Sequence, residues 1–390
     1  MSKDNRPLAK HFKGAEATLL NINKRGDVKI FEKRCSKKVE RKKVEVFLVA
    51  GGTGGHIFPA LNVARRILQS MPQVQIHFLT DNRFAESYKQ KYADVFASPN
   101  FTIQTLSVVS FRANFKFVLC LLSSIFNCFK LIFSKKPSKI IAFGGYVCFP
   151  ALLCGSVARR QILLQEQNSV IGRVNKMFLP FCKNIYTSFN NTEGLGKYTY
   201  KSINCNTLLS QSFYQKLGVV EMQYTTTEAC IIGTTPSPSL INANKNNDNF
   251  NIVILGGSLG ASVFGENLVR QVVALLPQLQ KKISVSHQVR TEAECKIVEQ
   301  IYKDASIACN VKTFFTEPQD MLFEANLLIS RAGASAVWEG FYCGAKCVFV
   351  PIPNSIKNHQ QKNAEYIKVL SEARITIQPQ NHIKLDDFLS

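Results

Sequence analysis

The chain has 390 residues, is 46% hydrophobic and carries a formal net charge of +21, from 48 Lys and Arg against 27 Asp and Glu. This apolar content excludes an intrinsically disordered protein, and the length predicts two domains or more. The charge favours an anionic partner, which could be a phosphorylated substrate, a nucleic acid or an anionic membrane surface. Twelve cysteines are scattered singly without a CxxC pair, which predicts buried, reduced thiols and no metal site.

Residues 1–43 form a basic segment with 14 Lys or Arg and five Asp or Glu. The segment has no sustained hydrophobic periodicity and no apolar stretch typical of a secretory signal. We expect a solvated, disordered extension. An arm that binds a membrane surface or a nucleic acid is the alternative.

The first predicted element is a strand, a glycine turn and a helix between Val44 and Leu68. An apolar, β-branched run leads to Gly51, which is typical of a buried parallel strand. Four of the five residues from Gly51 to Gly55 are glycine, so backbone N–H groups can approach anionic oxygens, and the dipole of the following helix points at the same turn. His56 stands at the edge of this anion site, and Pro59 is expected in the first helical turn.

A dinucleotide site is a weaker alternative for this turn. Ile57 occupies the position of the last glycine of the G-x-G-x-x-G pattern, although Asp81 follows near the end of the next strand, where a ribose-binding acid could stand.

Strands and helices alternate from Val44 to about Tyr186, with strands predicted at 75–79, 102–108, 139–143, 161–164 and 184–187. This alternation predicts a doubly wound parallel sheet that binds ligands at the carboxyl ends of its strands. The unusual residues lie in those places: Gly144, Gly145 and Tyr146 follow one strand, and residues 166–169 follow another.

A phenylalanine-rich stretch with flanking lysines covers residues 115–133. Its longest uncharged run, 117–129, is shorter than the roughly 20 residues that a membrane span needs. It is interpreted either as a core helix or as an interfacial helix on an anionic leaflet.

After a polar connection at 190–250, residues 251–275 repeat the opening pattern with a glycine turn at 256–260. Further strands are predicted at 283–286, 311–315, 327–330 and 347–350. The chain is therefore expected to form two similar α/β domains, 44–209 and 210–390, that face a cleft with an anion-binding turn on each side.

The second turn also matches the G-x-S-x-G elbow of serine hydrolases, with Ser258 as nucleophile and Asp320 and His359 in triad order. Elsewhere, Arg331 could lie near a phosphate, Glu339 could accept ribose hydroxyls, and the amides at 358–363 could bind a sugar. A solvated helix acid and a polar helix start explain Glu339 and the amides equally well on pattern alone.

Several motifs occur together in one order: GGTGGHIFPA, FGGY at 143–146, EQN at 166–168, GGSLGA, SRAGAS followed by Glu339, and NHQQKNA at 358–364. From Val44 onward the chain resembles the MurG family. The resemblance implies a GT-B fold of two doubly wound, Rossmann-like α/β domains. It also implies transfer of N-acetylglucosamine from UDP-N-acetylglucosamine to lipid I, which gives lipid II for peptidoglycan synthesis.

The resemblance further implies roles for single residues. His56 would be the general base that takes the proton from the 4-hydroxyl of the acceptor sugar during an inverting transfer, without cofactor or metal. The acceptor would lie near Gly51, Gly52, Gly144, Gly145 and Tyr146. The donor would be bound by Thr53, Gly54, Gly55, Asn168, Ser258, Phe315, Arg331, Ala334, Ser335, Glu339, Gln360 and Gln361.

The implied location is the cytoplasmic face of the plasma membrane, bound peripherally to its anionic surface, with no nucleic-acid partner. The chain departs from the family pattern at Gln165, where a His is usual, at Leu209, where an Arg near the donor phosphate is usual, and at Leu259, where a Gln is common. It also ends at Ser390, without the family's last long helices. A weakened or inactive homologue that only binds UDP-sugar or lipid is therefore an alternative.

Overall fold

The computed structural model describes residues 43–51, 53–82, 86–107, 115–205, 208–210, 215, 224, 226–232, 249–257, 260–274 and 282–385. The predictions for residues 1–42, Gly52, Ser258 and Leu259 lie outside this part. All eleven cysteines within it are free thiols, as predicted.

The first sheet has seven parallel strands in the order β3-β2-β1-β4-β5-β6-β7. β1 lies near its centre, and the side chains on both of its faces are buried, as expected for a strand inside a parallel sheet. The strands are β1 (Val44–Val49), β2 (Val74–Asp81), β3 (Phe101–Leu106), β4 (Lys139–Ala142), β5 (Gln161–Glu166), β6 (Asn184–Thr187) and β7 (Ser202–Asn204).

Helices cover both faces of this sheet. The first three pack on one face and the next three on the other, because the alternating side chains of β1 point into two separate cores. The helices are α1 (Gly54–Ser70), α2 (Glu86–Lys91), α3 (Ala93–Phe96), α4 (Phe115–Lys135), α5 (Cys148–Val157) and α6 (Arg173–Phe178). A 3-10 helix (Gly196–Lys201) precedes β7.

Helix α7 (Thr227–Ile232) belongs to the segment that connects the two sheets, and it packs on the first one. Cys230 and Ile231 are buried in the same core as α1, and Arg66 Nη1 of α1 donates to the Cys230 carbonyl at 3.1 Å. At the other end of the helix, Lys139 Nζ lies 2.6 Å from a Glu228 carboxylate oxygen. The connection therefore returns to the first sheet before the second begins.

The second sheet has six parallel strands in the order β10-β9-β8-β11-β12-β13. Its strands are β8 (Asn249–Leu255), β9 (Lys282–Gln288), β10 (Ala308–Lys312), β11 (Leu327–Ser330), β12 (Lys346–Phe349) and β13 (Ile375–Ile377). One face carries α8 (Glu266–Ala274) and α9 (Glu292–Asp304). The other face carries α10 (Gln319–Glu324), α11 (Ala334–Cys343) and α12 (His359–Leu370). Three-residue 3-10 helices lie at Ser262–Phe264, Ile356–Asn358 and Glu372–Arg374.

The predicted doubly wound α/β architecture is confirmed, and the structure corrects three details. The strand expected at 311–315 is wrong: β10 ends at Lys312, and Phe315 lies in the following loop. The short edge strands β7 and β13 were not predicted. Helix α1 begins at Gly54, because Thr53 has the extended backbone of an N-cap, so Pro59 is the sixth helical residue rather than a first-turn residue.

Candidate active site

A cavity of about 730 Å³ lies between the two sheets. Its walls are the loops that follow β1, β4 and β5 on one side and β8, β10, β11 and β12 on the other. These are the carboxyl ends of parallel strands, where a doubly wound sheet binds its ligands. The cavity therefore occupies the place that the sequence predicts for the site.

His56 is fixed at this cavity by backbone contacts. It lies in the first turn of α1, where its N–H donates to the Thr53 carbonyl at 3.0 Å. Its imidazole packs against Gly144, which has a left-handed backbone with φ 98°. A Cβ on Gly144 would lie 2.7 Å from His56 Cδ2 and 2.9 Å from Nε2, so only glycine leaves room for the ring. The two glycine turns therefore meet at the imidazole.

Gly51 and Gly145 allow the backbones of the same two turns to come into contact. A Cβ on Gly145, which has φ 85°, would lie 2.7 Å from the Gly51 carbonyl oxygen. A Cβ on Gly51 would lie 2.6 Å from Val147 Cγ2. Gly51 is thus a packing residue beneath the cavity and not part of its lining. Asp81, the candidate ribose acid of a dinucleotide site, is buried next to Gly51 and does not line the cavity.

Glu166 organises the loop after β5. Its carboxylate accepts hydrogen bonds from the Gly172 N–H at 2.8 Å, the Asn168 N–H at 3.1 Å and Asn175 Nδ2 at 3.0 Å. Burial raises the pKa of the Glu166 carboxyl, and these donors oppose that effect. Gln165, where the family usually has His, is buried and donates to Ser188 Oγ at 3.3 Å.

Glu339 faces the cavity from α11 of the second sheet. Burial raises the pKa of its carboxyl to about 7, although Lys91 from the first sheet opposes this shift. The carboxyl is therefore poised to exchange a proton near neutral pH. Ala334 and Ser335 form the start of the same helix and also line the cavity.

Arg331 lines the cavity but is held by its own domain. Its guanidinium donates to the Val350 carbonyl at 3.1 Å and to Gln380 Oε1 at 3.0 Å, and it lies 5.4 Å above the Phe264 ring. These contacts brace the loop after β12. The arginine therefore has a structural role in its own domain.

The two amides predicted to hold the sugar differ in placement. Gln360 lines the cavity, and its Oε1 accepts from the Ile352 N–H at 2.9 Å. Gln361 does not line it, because its side chain turns along α12 to donate to Glu365 at 2.9 Å. The two residues are adjacent, and the rotation of about 100° per helical residue points one side chain into the cavity and the other to the surface, which the sequence could not resolve.

Asn363, also on α12, joins the two sheets. Its Oδ1 accepts from the N–H and the hydroxyl of Ser169, each at 2.9 Å, and its Nδ2 donates to Asn168 Oδ1 at 3.1 Å. Phe189 of the first half is buried beside Trp338 and Tyr366 of the second. Sequence reasoning assigned no such role to Asn363 or Phe189, since neither pattern nor spacing distinguishes a domain contact.

Leu209 is the residue at which the family resemblance implies an arginine. It is fully buried in the core of the second sheet, and its carbonyl accepts from Asn62 Nδ2 at 3.2 Å. The position therefore supplies packing in this chain and no charge.

The other two residues of the candidate serine-hydrolase triad do not support that interpretation. His359 Nδ1 lies 2.9 Å from the Ile356 carbonyl, so the nitrogen that a triad acid would orient is occupied by the backbone. Asp320 does not line the cavity.

Most of the predicted residues that the structure describes come together at this cavity. Ten predicted donor residues line it: Thr53, Gly54, Gly55, Asn168, Phe315, Arg331, Ala334, Ser335, Glu339 and Gln360. So do His56 and the predicted acceptor residues Gly144, Gly145 and Tyr146. Lining cations that the sequence analysis missed are Lys91, Arg173 and Lys357, which look like ordinary surface residues in the sequence.

Comparisons with known proteins agree with this geometry. Residues 46–187 match the glycosyltransferase family 28 N-terminal domain, and residues 251–384 match the glycosyltransferase family 28 C-terminal domain. One relative is the UDP-N-acetylglucosamine--N-acetylmuramyl-(pentapeptide) pyrophosphoryl-undecaprenol N-acetylglucosamine transferase of Rickettsia peacockii (strain Rustic). It is 31% identical over 332 residues, which cover 83% of this chain and 84% of the relative. The enzyme of the same name from Rickettsia bellii (strain RML369-C) is 31% identical over 327 residues, with 83% of each chain covered.

Among solved structures, MurG of Acinetobacter baumannii superposes with a TM-score of 0.63 at 25% identity, covering 89% of this chain and 88% of that one. A UDP-glucose: anthocyanidin 3-O-glucosyltransferase, at 14% identity and a TM-score of 0.55 over 84% of each chain, shares the fold alone. The matched domains, the two facing sheets and the sequence identity lead to one conclusion: the chain belongs to the MurG family of glycosyltransferases and has their two-domain GT-B fold.

Proposed function

We propose that this protein transfers N-acetylglucosamine from UDP-N-acetylglucosamine to the 4-hydroxyl of the muramyl sugar of lipid I, with inversion, and so makes lipid II. The observation that carries the proposal is the position of His56. Its imidazole lines the cavity where the glycine turns after β1 and β4 meet, opposite the second-sheet loops that begin α11 and α12. The activity printed in the names of the Rickettsia relatives supports the choice of substrates.

In this mechanism, His56 acts as general base. An imidazole exchanges protons near neutral pH, so it can accept the proton of the acceptor 4-hydroxyl as that oxygen attacks the anomeric carbon. The new glycosidic bond forms on the face opposite the departing UDP, whose diphosphate takes the electron pair of the broken C–O bond. The amides at the start of the second-domain helices would stabilise that leaving charge without reorganisation.

The two halves would divide the substrates between them. We propose that residues 210–390 bind the donor, with Glu339 on the ribose, Gln360 on the sugar and the turn at 256–260, including Ser258, on the diphosphate. Residues 44–209 would hold the acceptor pyrophosphate near the turns at Gly51–Gly55 and Gly144–Gly145. Helix α7 would be the exception, since it follows residue 209 and packs on the first sheet.

The acceptor is a lipid, and α4 offers a surface suited to a membrane. Ser124, Cys128 and Ile132 are buried, while Phe126 is 69% exposed and other large apolar side chains on the helix are also exposed: Val118, Leu119, Leu122, Phe129 and Phe133. By length and composition Phe117–Lys135 could span a bilayer. The sequence analysis counted only the uncharged run 117–129 and so underestimated the length of this apolar helix. Because one face packs in the core, we propose that α4 lies on the cytoplasmic leaflet and the protein binds peripherally.

A second candidate function is supported by Leu209. With a core leucine at the position of the usual arginine, the chain could be a homologue that binds UDP-sugar without turnover. The two candidate functions differ in whether an incubation with donor and acceptor yields a glycosylated product.

The test is the structure of the product. The protein is incubated with UDP-N-acetylglucosamine labelled with ¹³C in the sugar and a short-chain lipid I analogue, and the product is analysed by NMR. A β linkage to the muramyl 4-oxygen is expected. An α linkage or another attachment point would contradict the inverting mechanism, and UDP binding without product would favour the second candidate.

A further inference from the structure

The positively charged side chains that line the cavity make different contacts, and these contacts indicate which of them can bind an anion. Among the described lining residues, the Lys and Arg side chains are Lys91, Arg173, Arg331 and Lys357. Arg331 is bound to carbonyls of its own domain, and Lys357 Nζ donates to the Ile171 carbonyl at 3.1 Å. Arg173 begins α6, directly after Gly172, whose N–H donates to the Glu166 carboxylate. Lys91 is the lining cation whose electrostatic partners lie on the donor side.

Two contacts position Lys91, one at its backbone carbonyl and one at its ammonium. Arg65 pairs with Asp94 through both oxygens, at 2.6 and 2.7 Å, and its Nη2 also donates to the Lys91 carbonyl at 3.1 Å. The Lys91 ammonium lies 5.3 Å from the centre of the Phe58 ring, which also lines the cavity. A cation over an aromatic face is stabilised there without a fixed anionic partner.

The acids whose charges act on this ammonium belong to the second half of the chain. Burial lowers the pKa of Lys91, and Glu339 followed by Glu317 oppose that effect, while Arg65 adds to it. Lys91 in turn opposes the rise in the Glu339 pKa. The first sheet therefore presents a cation to the acid that, on the proposed function, holds the donor ribose.

The described residues next to Lys91 that line the cavity carry no positive charge, and Arg65, which also lies beside it, is paired with Asp94. Tyr92, the next residue, donates from its hydroxyl to Asn62 Oδ1 at 2.8 Å, and Asn62 donates to the Leu209 carbonyl at 3.2 Å. Leu208 and Ser210, on either side of Leu209, line the cavity and are neutral. An anion entering this corner would meet Lys91 as its counter-charge.

We propose that Lys91 is a donor-binding residue: its ammonium, which lines the same cavity as Glu339, pairs with the diphosphate of a bound nucleoside diphosphate sugar and so holds the two domains together over the donor. This inference rests on the proposed function, since it requires a nucleotide donor. It names a residue of the first domain as a determinant of donor affinity.

The test compares UDP with uridine, which lacks the diphosphate, by calorimetry on wild type, Lys91→Met and Lys91→Arg. Methionine keeps an unbranched stem over Phe58 and removes the charge. Measurements at about pH 8 keep Glu339 ionised, because its pKa is about 7. Lys89→Met, an exposed change on the same helix, is the control for charge removal.

We expect Lys91→Met to weaken UDP binding about tenfold or more, the size of one lost charge-assisted contact, and uridine binding less than about twofold. Lys91→Arg should retain UDP affinity, and Lys89→Met should change neither. Equal weakening of UDP and uridine, or unchanged UDP binding, would overturn the inference while leaving the proposed function intact. A wild-type protein that binds neither ligand would contradict both.

Discussion

The imidazole of His56 occupies the space in which a side chain at Gly144 would begin. A single added methyl group at residue 144 would stand 2.9 Å from His56 Nε2, well inside contact distance. The ring position is therefore set jointly by the turn after β1, which carries the histidine, and the turn after β4, which carries the glycine. The sheet makes this possible, because β1 and β4 are neighbouring parallel strands whose carboxyl ends lie side by side.

The first prediction concerns this contact. Gly144→Ala should push the imidazole out of place and lower kcat on the order of 100-fold, because displacement of a catalytic group by about 1 Å has effects of that size. UDP affinity should stay within about twofold, since the donor side is untouched. Gly344→Ala is the matched control: its φ of 70° gives similar backbone strain at the end of α11, outside the cavity lining. Equal kcat in Gly144→Ala and wild type would contradict the placement of the base.

A second prediction concerns Glu166. Glu166→Gln replaces a carboxylate oxygen that accepts from Gly172 and Asn175 by an NH2 group, or turns that group towards Asn168. Either orientation sets a donor against a donor in a buried site, so we expect the free energy of unfolding to fall by about 1–3 kcal/mol and turnover to fall about tenfold or more. Glu372→Gln, an exposed change, should have neither effect. Native-like melting and turnover in Glu166→Gln would show that the carboxylate does not order the loop.

The third prediction follows from the Glu339 pKa of about 7. Only the ionised carboxylate can accept hydrogen bonds from both ribose hydroxyls on equal terms, so a ligand that prefers this form lowers the pKa and releases a proton on binding. Below about pH 7 the free carboxyl is mostly protonated, and uridine affinity should fall by up to about tenfold per pH unit. Above about pH 8 it should level off.

Calorimetry in buffers of different ionisation enthalpy measures the released proton. Glu339→Gln cannot titrate, so its uridine affinity should be low and constant across the same pH range. A wild-type affinity that does not change between about pH 6 and 8 would argue against a ribose contact through Glu339.

The fourth prediction tests the membrane surface. Replacing Phe126 and Phe129 by Ser should weaken binding to vesicles of anionic lipid, because each buried aromatic side chain contributes about 1.5–3 kcal/mol. Val369→Ser with Leu370→Ser removes similar exposed apolar area from α12 and should leave vesicle binding unchanged. Turnover of a water-soluble, short-chain acceptor should be retained in both variants. Unchanged vesicle binding by the phenylalanine variant would exclude α4 as the docking surface.

The sequence predicted the architecture well because parallel strands buried on both faces leave continuous apolar runs, and because glycine turns mark their ends. It failed where those signals are weak: β10 is an edge strand with alternating exposure, and the apolar residues around Phe315 shifted its predicted position. The first-domain glycine turns and the loop after β5 were predictable from the order of the strands, since loops after neighbouring parallel strands converge.

Contacts between the halves were not predictable. Asn363 and Phe189 carry no local signature of the domain that each one touches, because pairing across a cleft depends on how two sheets are placed. Lys91 is an ordinary helix lysine in the sequence, and only the fold brings it opposite Glu339. Arg331 is predicted near a phosphate because an arginine beside a glycine turn suggests such a ligand, and in the structure its guanidinium also donates to carbonyls of its own domain.

The role of His56 can be measured as UDP release on mixing the protein with UDP-N-acetylglucosamine and a short-chain lipid I analogue, for wild type beside His56→Ala. We predict acceptor-dependent UDP release by wild type and a loss of about 100-fold or more in the variant, with UDP binding preserved in both. Equal turnover in the two proteins would contradict His56 as base. Absence of turnover in a wild type that still binds UDP would contradict the transferase itself.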